Sequence, residues 1–107
     1  MLFIVHTVVL NIFENSMPTV HLVISGKVQG VFFRASAKDV ADEIGLTGWV
    51  KNTKEGDVEI KANGSDDQLQ KFMEWCKIGP RRAVVTNLQV KNIDEENFKS
   101  FEVIRGH

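Results

Sequence analysis

The sequence contains no tyrosine, a single cysteine (Cys76), only two prolines, and no apolar run long enough to cross a bilayer. Each shortage excludes something. One cysteine cannot close an internal disulfide, so nothing in the chain calls for an oxidising compartment, and a cytoplasmic location is expected. Neither sign of charge dominates: 13 Lys and Arg stand against 14 Asp and Glu, a formal net charge of −1. A global electrostatic pull toward nucleic acid or an acidic membrane is therefore missing, and neither is expected as a partner. The histidines, His6, His21 and His107, share no metal-ligand spacing. Cys76 falls on an apolar helical stripe, where a packed thiol is expected rather than a nucleophile.

What is present is the balance of one soluble globular domain. The chain has 107 residues, 43% hydrophobic and 25% charged, enough for a core without disulfide or metal. Residues 1–16 stand apart. Leu2 to Phe13 is apolar except for His6, Thr7 and Asn11, but it is too short to span a membrane and has no basic start or cleavage site of a signal peptide. It reads as a loosely attached extension, with Met17-Pro18 as a natural second start. An extra strand or a partner-binding segment is the other reading. The domain is expected over residues 17–107.

The remaining elements follow from periodicity. An alternating stretch, Val20 to Val28, predicts a strand, and Phe33, Ala37, Val40, Ala41 and Ile44 predict a helix over 33–44 that Gly45 closes. Thr47 to Asn52 and Val58 to Asn63 form strands around the turn Thr53-Lys54-Glu55-Gly56, a hairpin. Ser65-Asp66-Asp67-Gln68 is a capping box for a helix that buries Leu69, Phe72, Met73 and Cys76 and stops at Gly79-Pro80. A strand over 83–93 follows, and Phe101 and Val103 suggest a short closing strand. The order is the α+β, ferredoxin-like split βαβ (βαββαβ): an antiparallel sheet, two helices on one face and a short extra C-terminal strand.

Two stretches exceed ordinary folding signals. The first is Gly26-Lys27-Val28-Gln29-Gly30-Val31-Phe32-Phe33-Arg34, a strand-to-helix turn with two glycines. Such a turn can aim consecutive N–H groups into one concavity beside the positive end of a helix, which makes an anion site. Arg34, in the first helical turn, is disfavoured there by the helix dipole, but its planar fork suits phosphate oxygens. No Gly-Lys-Ser/Thr follows the glycines and the third glycine of a dinucleotide fingerprint is missing, so no nucleotide is implied. The second stretch is Gly48-Trp49-Val50-Lys51-Asn52-Thr53, where the carboxamide of Asn52 can both donate and accept, and so hold a water in a fixed orientation.

With these two motifs in this order of elements, the chain from about Val20 onward resembles the acylphosphatase family, and Gly79-Pro80-Arg81-Arg82-Ala83-Val84-Val85 also fits its pattern. The resemblance implies hydrolysis of the carboxyl–phosphate bond of small acyl phosphates to a carboxylate and inorganic phosphate. It implies that Arg34 binds the phosphate together with main-chain N–H groups of Gln29, Gly30, Val31, Phe32 and Phe33, and that Asn52 positions the attacking water. It implies no metal and no organic cofactor. The size and near-neutral charge suggest a monomer. Other uses of the architecture stay open. An RNA-binding sheet wants aromatics on its central strands and a basic face, whereas Ile, Leu and Val occupy these strands. A non-catalytic anion-binding module would share the turn but would have no need of Asn52.

Overall fold

The computed structural model describes residues 17–106; the expected N-terminal extension, residues 1–16, lies outside the described residues, as does His107. Seven elements follow in chain order: β1 (Thr19–Lys27), α1 (Phe33–Ile44), β2 (Thr47–Asn52), β3 (Val58–Asn63), α2 (Asp66–Cys76), β4 (Val84–Ile93) and β5 (Phe101–Ile104). The strands form one sheet in the order β4-β1-β3-β2-β5.

Alternation sets the two faces of this sheet. Val20, Leu22 and Ile24 of β1, Val50 of β2, and Val58, Ile60 and Ala62 of β3 all point into the core. The helices bring Phe33, Ala37 and Ala41 from α1, and Leu69, Phe72 and Cys76 from α2, into the same cluster. The opposite face is polar. His21 pairs with Glu59 at 2.7 Å, Lys51 with Glu59 at 3.7 Å and Lys61 with Glu96 at 2.6 Å.

The helix ends are fixed by local chemistry. Gly45 takes the left-handed C-cap of α1, its N–H on the Ala41 carbonyl at 2.8 Å. Ser65 and Gln68 complete a reciprocal capping box on α2. The same Gln68 side chain donates to the Ile44 carbonyl at 3.1 Å, tying the end of α1 to the start of α2.

β1 lies between β3 and β4, antiparallel to both, and β2 is antiparallel to β3, as expected. Between Ser25 and Gly26 the register with β4 slips by one residue, a bulge just before the turn that leads into α1. Only glycine fits there. Gly26 has φ 128°, and an added Cβ would stand 2.1 Å from the Val84 carbonyl oxygen. β5 forms where the closing strand was expected, but it joins the sheet parallel to β2, with Val103 opposite Val50 and Ile104 opposite Lys51. Its direction carries the chain toward the end of β2 where Asn52 lies.

Candidate active site

The turn between β1 and α1 sets buried and exposed residues side by side. Val28, Val31 and Phe33 anchor it in the core, while Gly30 and Phe32 are exposed. Among the described residues, the N–H groups of Gln29, Gly30, Val31, Phe32 and Phe33 have no protein acceptor; the first helical bond runs from the Ser36 N–H to the Phe32 carbonyl at 3.0 Å. Five consecutive unsatisfied donors at a helix N-terminus require water or an anion.

The core side of the turn is held by aromatic packing. The Phe33 ring lies 5.3 Å from Trp75, Trp75 stacks on Phe72 at 6.2 Å, and Phe72 meets Phe101 of β5 edge-on at 5.9 Å. Gly79 passes under Phe33, where a Cβ would stand 2.7 Å from the ring at a φ of 72°. This is the structural role of the Gly79-Pro80 stretch: it leaves room for the ring beneath the turn. Arg81 and Arg82 are exposed.

An open cavity of about 430 Å³ faces the turn. Gly30, Phe32, Phe33 and Arg34 line one side and Asn52 the other. Gln29 and Val31 do not line it. Val31 is buried, so each can reach an anion only through its main chain. Arg34 and Asn52 are both half-buried and make no side-chain hydrogen bond or ion pair with another described residue. Lys51 lies on the polar face of the sheet, over the Trp49 ring at 5.3 Å and beside Glu59. Its charge is shared with a carboxylate rather than turned into the cavity.

Two features of the cavity escape sequence reasoning. Val103 and Arg105 line it, although they lie far along the chain from both motifs. Continuing the parallel β2–β5 register by one residue sets Arg105 beside Asn52. No carboxylate is among the described residues that line the cavity, and the two guanidiniums of Arg34 and Arg105 give these residues a positive character. The second feature is the Gln29 side chain. Its amide nitrogen donates to the Thr53 carbonyl at 2.8 Å and to the Asp57 carbonyl at 2.9 Å. β3 separates β1 from β2, so Asn52 stands about 10 Å across the sheet from β1. Gln29 fixes the hairpin carrying Asn52 to the turn between β1 and α1. Cys76 is fully buried in the core, and burial pushes its thiol well above the ordinary range, so it takes no part in this site.

Known proteins match this chain in sequence and in fold. The family model described as Acylphosphatase matches residues 20–103. An acylphosphatase of Marinobacter nauticus is 52% identical over 73 residues, covering 68% of this chain and 79% of its own. The solved structure of an acylphosphatase from Coxiella burnetii is 44% identical with a TM-score of 0.82, covering 85% of this chain and 96% of its own. The crystal structure of the Bacillus subtilis acylphosphatase is 37% identical with a TM-score of 0.81, covering 83% of this chain and all of its own. The family model spans most of the chain and these relatives share more than a third of its residues, so the chain belongs to the acylphosphatase family.

Proposed function

We propose that this chain hydrolyses small acyl phosphates with Arg34 and the turn amides gripping the phosphoryl group and Asn52 steadying the water. The observation that carries this reading is that Arg34, Asn52 and the turn residues Gly30, Phe32 and Phe33 line one cavity, with no carboxylate among the described residues that line it. The N–H groups from Gln29 to Phe33 and the Arg34 fork neutralise the phosphoryl oxygens, whose charge is spread over the equatorial oxygens in the transition state. The Asn52 carboxamide accepts one hydrogen bond from a water and aligns it for in-line attack. The water oxygen forms its bond to phosphorus as the bond from phosphorus to the acyl oxygen breaks. The carboxylate leaves with the electron pair, and a non-bridging phosphoryl oxygen takes the water's proton. A carboxylate is a good leaving group, so the step needs no general acid. Among the described residues that line the cavity there is no Asp, Glu or His.

The protein is proposed to act as a cytoplasmic monomer without a nucleic-acid or membrane partner. A free, buried Cys76 supports the location. No helix among the described residues is long and apolar enough to cross a membrane. On the polar sheet face, Lys51 is paired with Glu59 and Lys61 with Glu96.

The test is hydrolysis of benzoyl phosphate with and without a chelator, followed as phosphate release, for the unaltered protein and for Asn52→Ala. Turnover is expected to survive the chelator. Asn52→Ala is expected to lose roughly 10²–10³ in kcat while inorganic phosphate still inhibits it. Unchanged kcat in Asn52→Ala would remove the water-positioning role, and a rate limb set by an enzyme base would remove the substrate-assisted proton transfer.

A further inference from the structure

Phe32 breaks three local preferences at once. It takes φ 65° and ψ 23°, and it is the only described residue other than glycine with a positive φ. A bulky side chain is an outlier there, where glycine or asparagine would be relaxed. It is also the N-cap of α1, yet it offers the helix no side-chain hydrogen bond, unlike Ser65 at the start of α2. Finally, 74% of this large apolar residue is exposed. Backbone, cap and hydration would each be better served by a small polar residue. Such a concentration of unfavourable choices within a functional turn marks a side chain retained for what it touches.

What it touches is the cavity. Phe32 lines it together with Arg34 and Asn52, and the apolar side chain of Val103 contributes to the same lining. When the phosphoryl group is held by the turn amides and Arg34, the acyl part of the substrate extends from the same cavity. We infer that Phe32 is an acyl-recognising shelf that selects acyl phosphates with a flat, apolar acyl group over those with a short aliphatic one. An exposed ring offers a face for offset stacking, and with only two side-chain torsions it has little freedom to lose on binding. The inference rests on the acylphosphatase reading and adds the substrate class to it.

The test compares kcat/KM for benzoyl phosphate and acetyl phosphate in the unaltered protein, in Phe32→Asn and in Phe32→Tyr. Taking the ratio of the two substrates within each variant cancels any change that the substitution makes to phosphate binding. Asn is comfortable at a positive φ, so this variant keeps the turn. The selectivity ratio is expected to fall about three- to tenfold in Phe32→Asn and to be retained in Phe32→Tyr. The melting temperature of Phe32→Asn is expected to be no lower than that of the unaltered protein, which separates recognition from packing. In the unaltered protein the KM for benzoyl phosphate should be the lower of the two. A ratio unchanged in Phe32→Asn, a lowered melting temperature, or equal KM values for the two substrates would each overturn the inference. No turnover of either substrate by the unaltered protein would instead sink the acylphosphatase reading itself.

Discussion

The side-chain nitrogen of Gln29 donates to the carbonyl oxygen of Thr53 at 2.8 Å, and its other hydrogen reaches the Asp57 carbonyl at 2.9 Å. One residue of the β1–α1 turn thereby holds the hairpin that presents Asn52. The Asp57 carbonyl also accepts from the Thr53 N–H at 2.9 Å, so both ends of the turn are locked together.

Replacing Gln29 separates positioning from binding. Gln29→Glu substitutes an acceptor for a donor opposite two carbonyls, and the hairpin must move away. We expect kcat to fall roughly tenfold or more, because Asn52 is displaced, a loss consistent with about 1–3 kcal/mol for broken part-buried hydrogen bonds. Inhibition by inorganic phosphate should change far less, because the turn amides and Arg34 remain. Steady-state kinetics with phosphate as inhibitor measures both; equal losses in both would assign Gln29 to the phosphate cradle alone.

Arg34 tests whether geometry matters beyond charge. Arg34→Lys keeps the positive charge but replaces a planar fork by a point charge. A loss of roughly 10²–10³ in kcat/KM is expected, with weaker inhibition by phosphate. Near-normal kinetics in this variant would mean that the cavity needs only a cation.

Gly79 supports the turn from below. In Gly79→Ala the new Cβ would stand 2.7 Å from the Phe33 ring, at a φ of 72° that alanine resists. A destabilisation of about 1–3 kcal/mol is expected in urea unfolding. Activity should fall further than the folded fraction does, because Phe33 anchors the anion-binding turn.

Cys76 gives a probe of the core that is independent of the site. Its thiol is fully buried and held protonated by that burial. A disulfide reagent at mildly alkaline pH is expected to leave the folded protein unlabelled and to react with one thiol per chain after denaturation. Fast labelling of the folded protein would contradict the packing of α2 against the sheet.

The sequence by itself determined what short-range physics controls. The helix Phe33–Ile44 and the strand Thr47–Asn52 occur with the bounds that periodicity predicts, and Gly45 and the Ser65–Gln68 box cap their helices as read. Each of these depends on side chains only a few residues apart, so the pattern is complete within a short window. The two motifs could likewise be recognised, and Arg34 and Asn52 do face one cavity. Tertiary structure alone decided the parallel course of β5, the arrival of Arg105 beside Asn52, the reach of Gln29 to Thr53, and the space that Gly79 leaves for Phe33. These are contacts between segments distant in the chain. Their partners are chosen by which strand edge remains open and which core volume remains unfilled, and neither is written in the local order of residues.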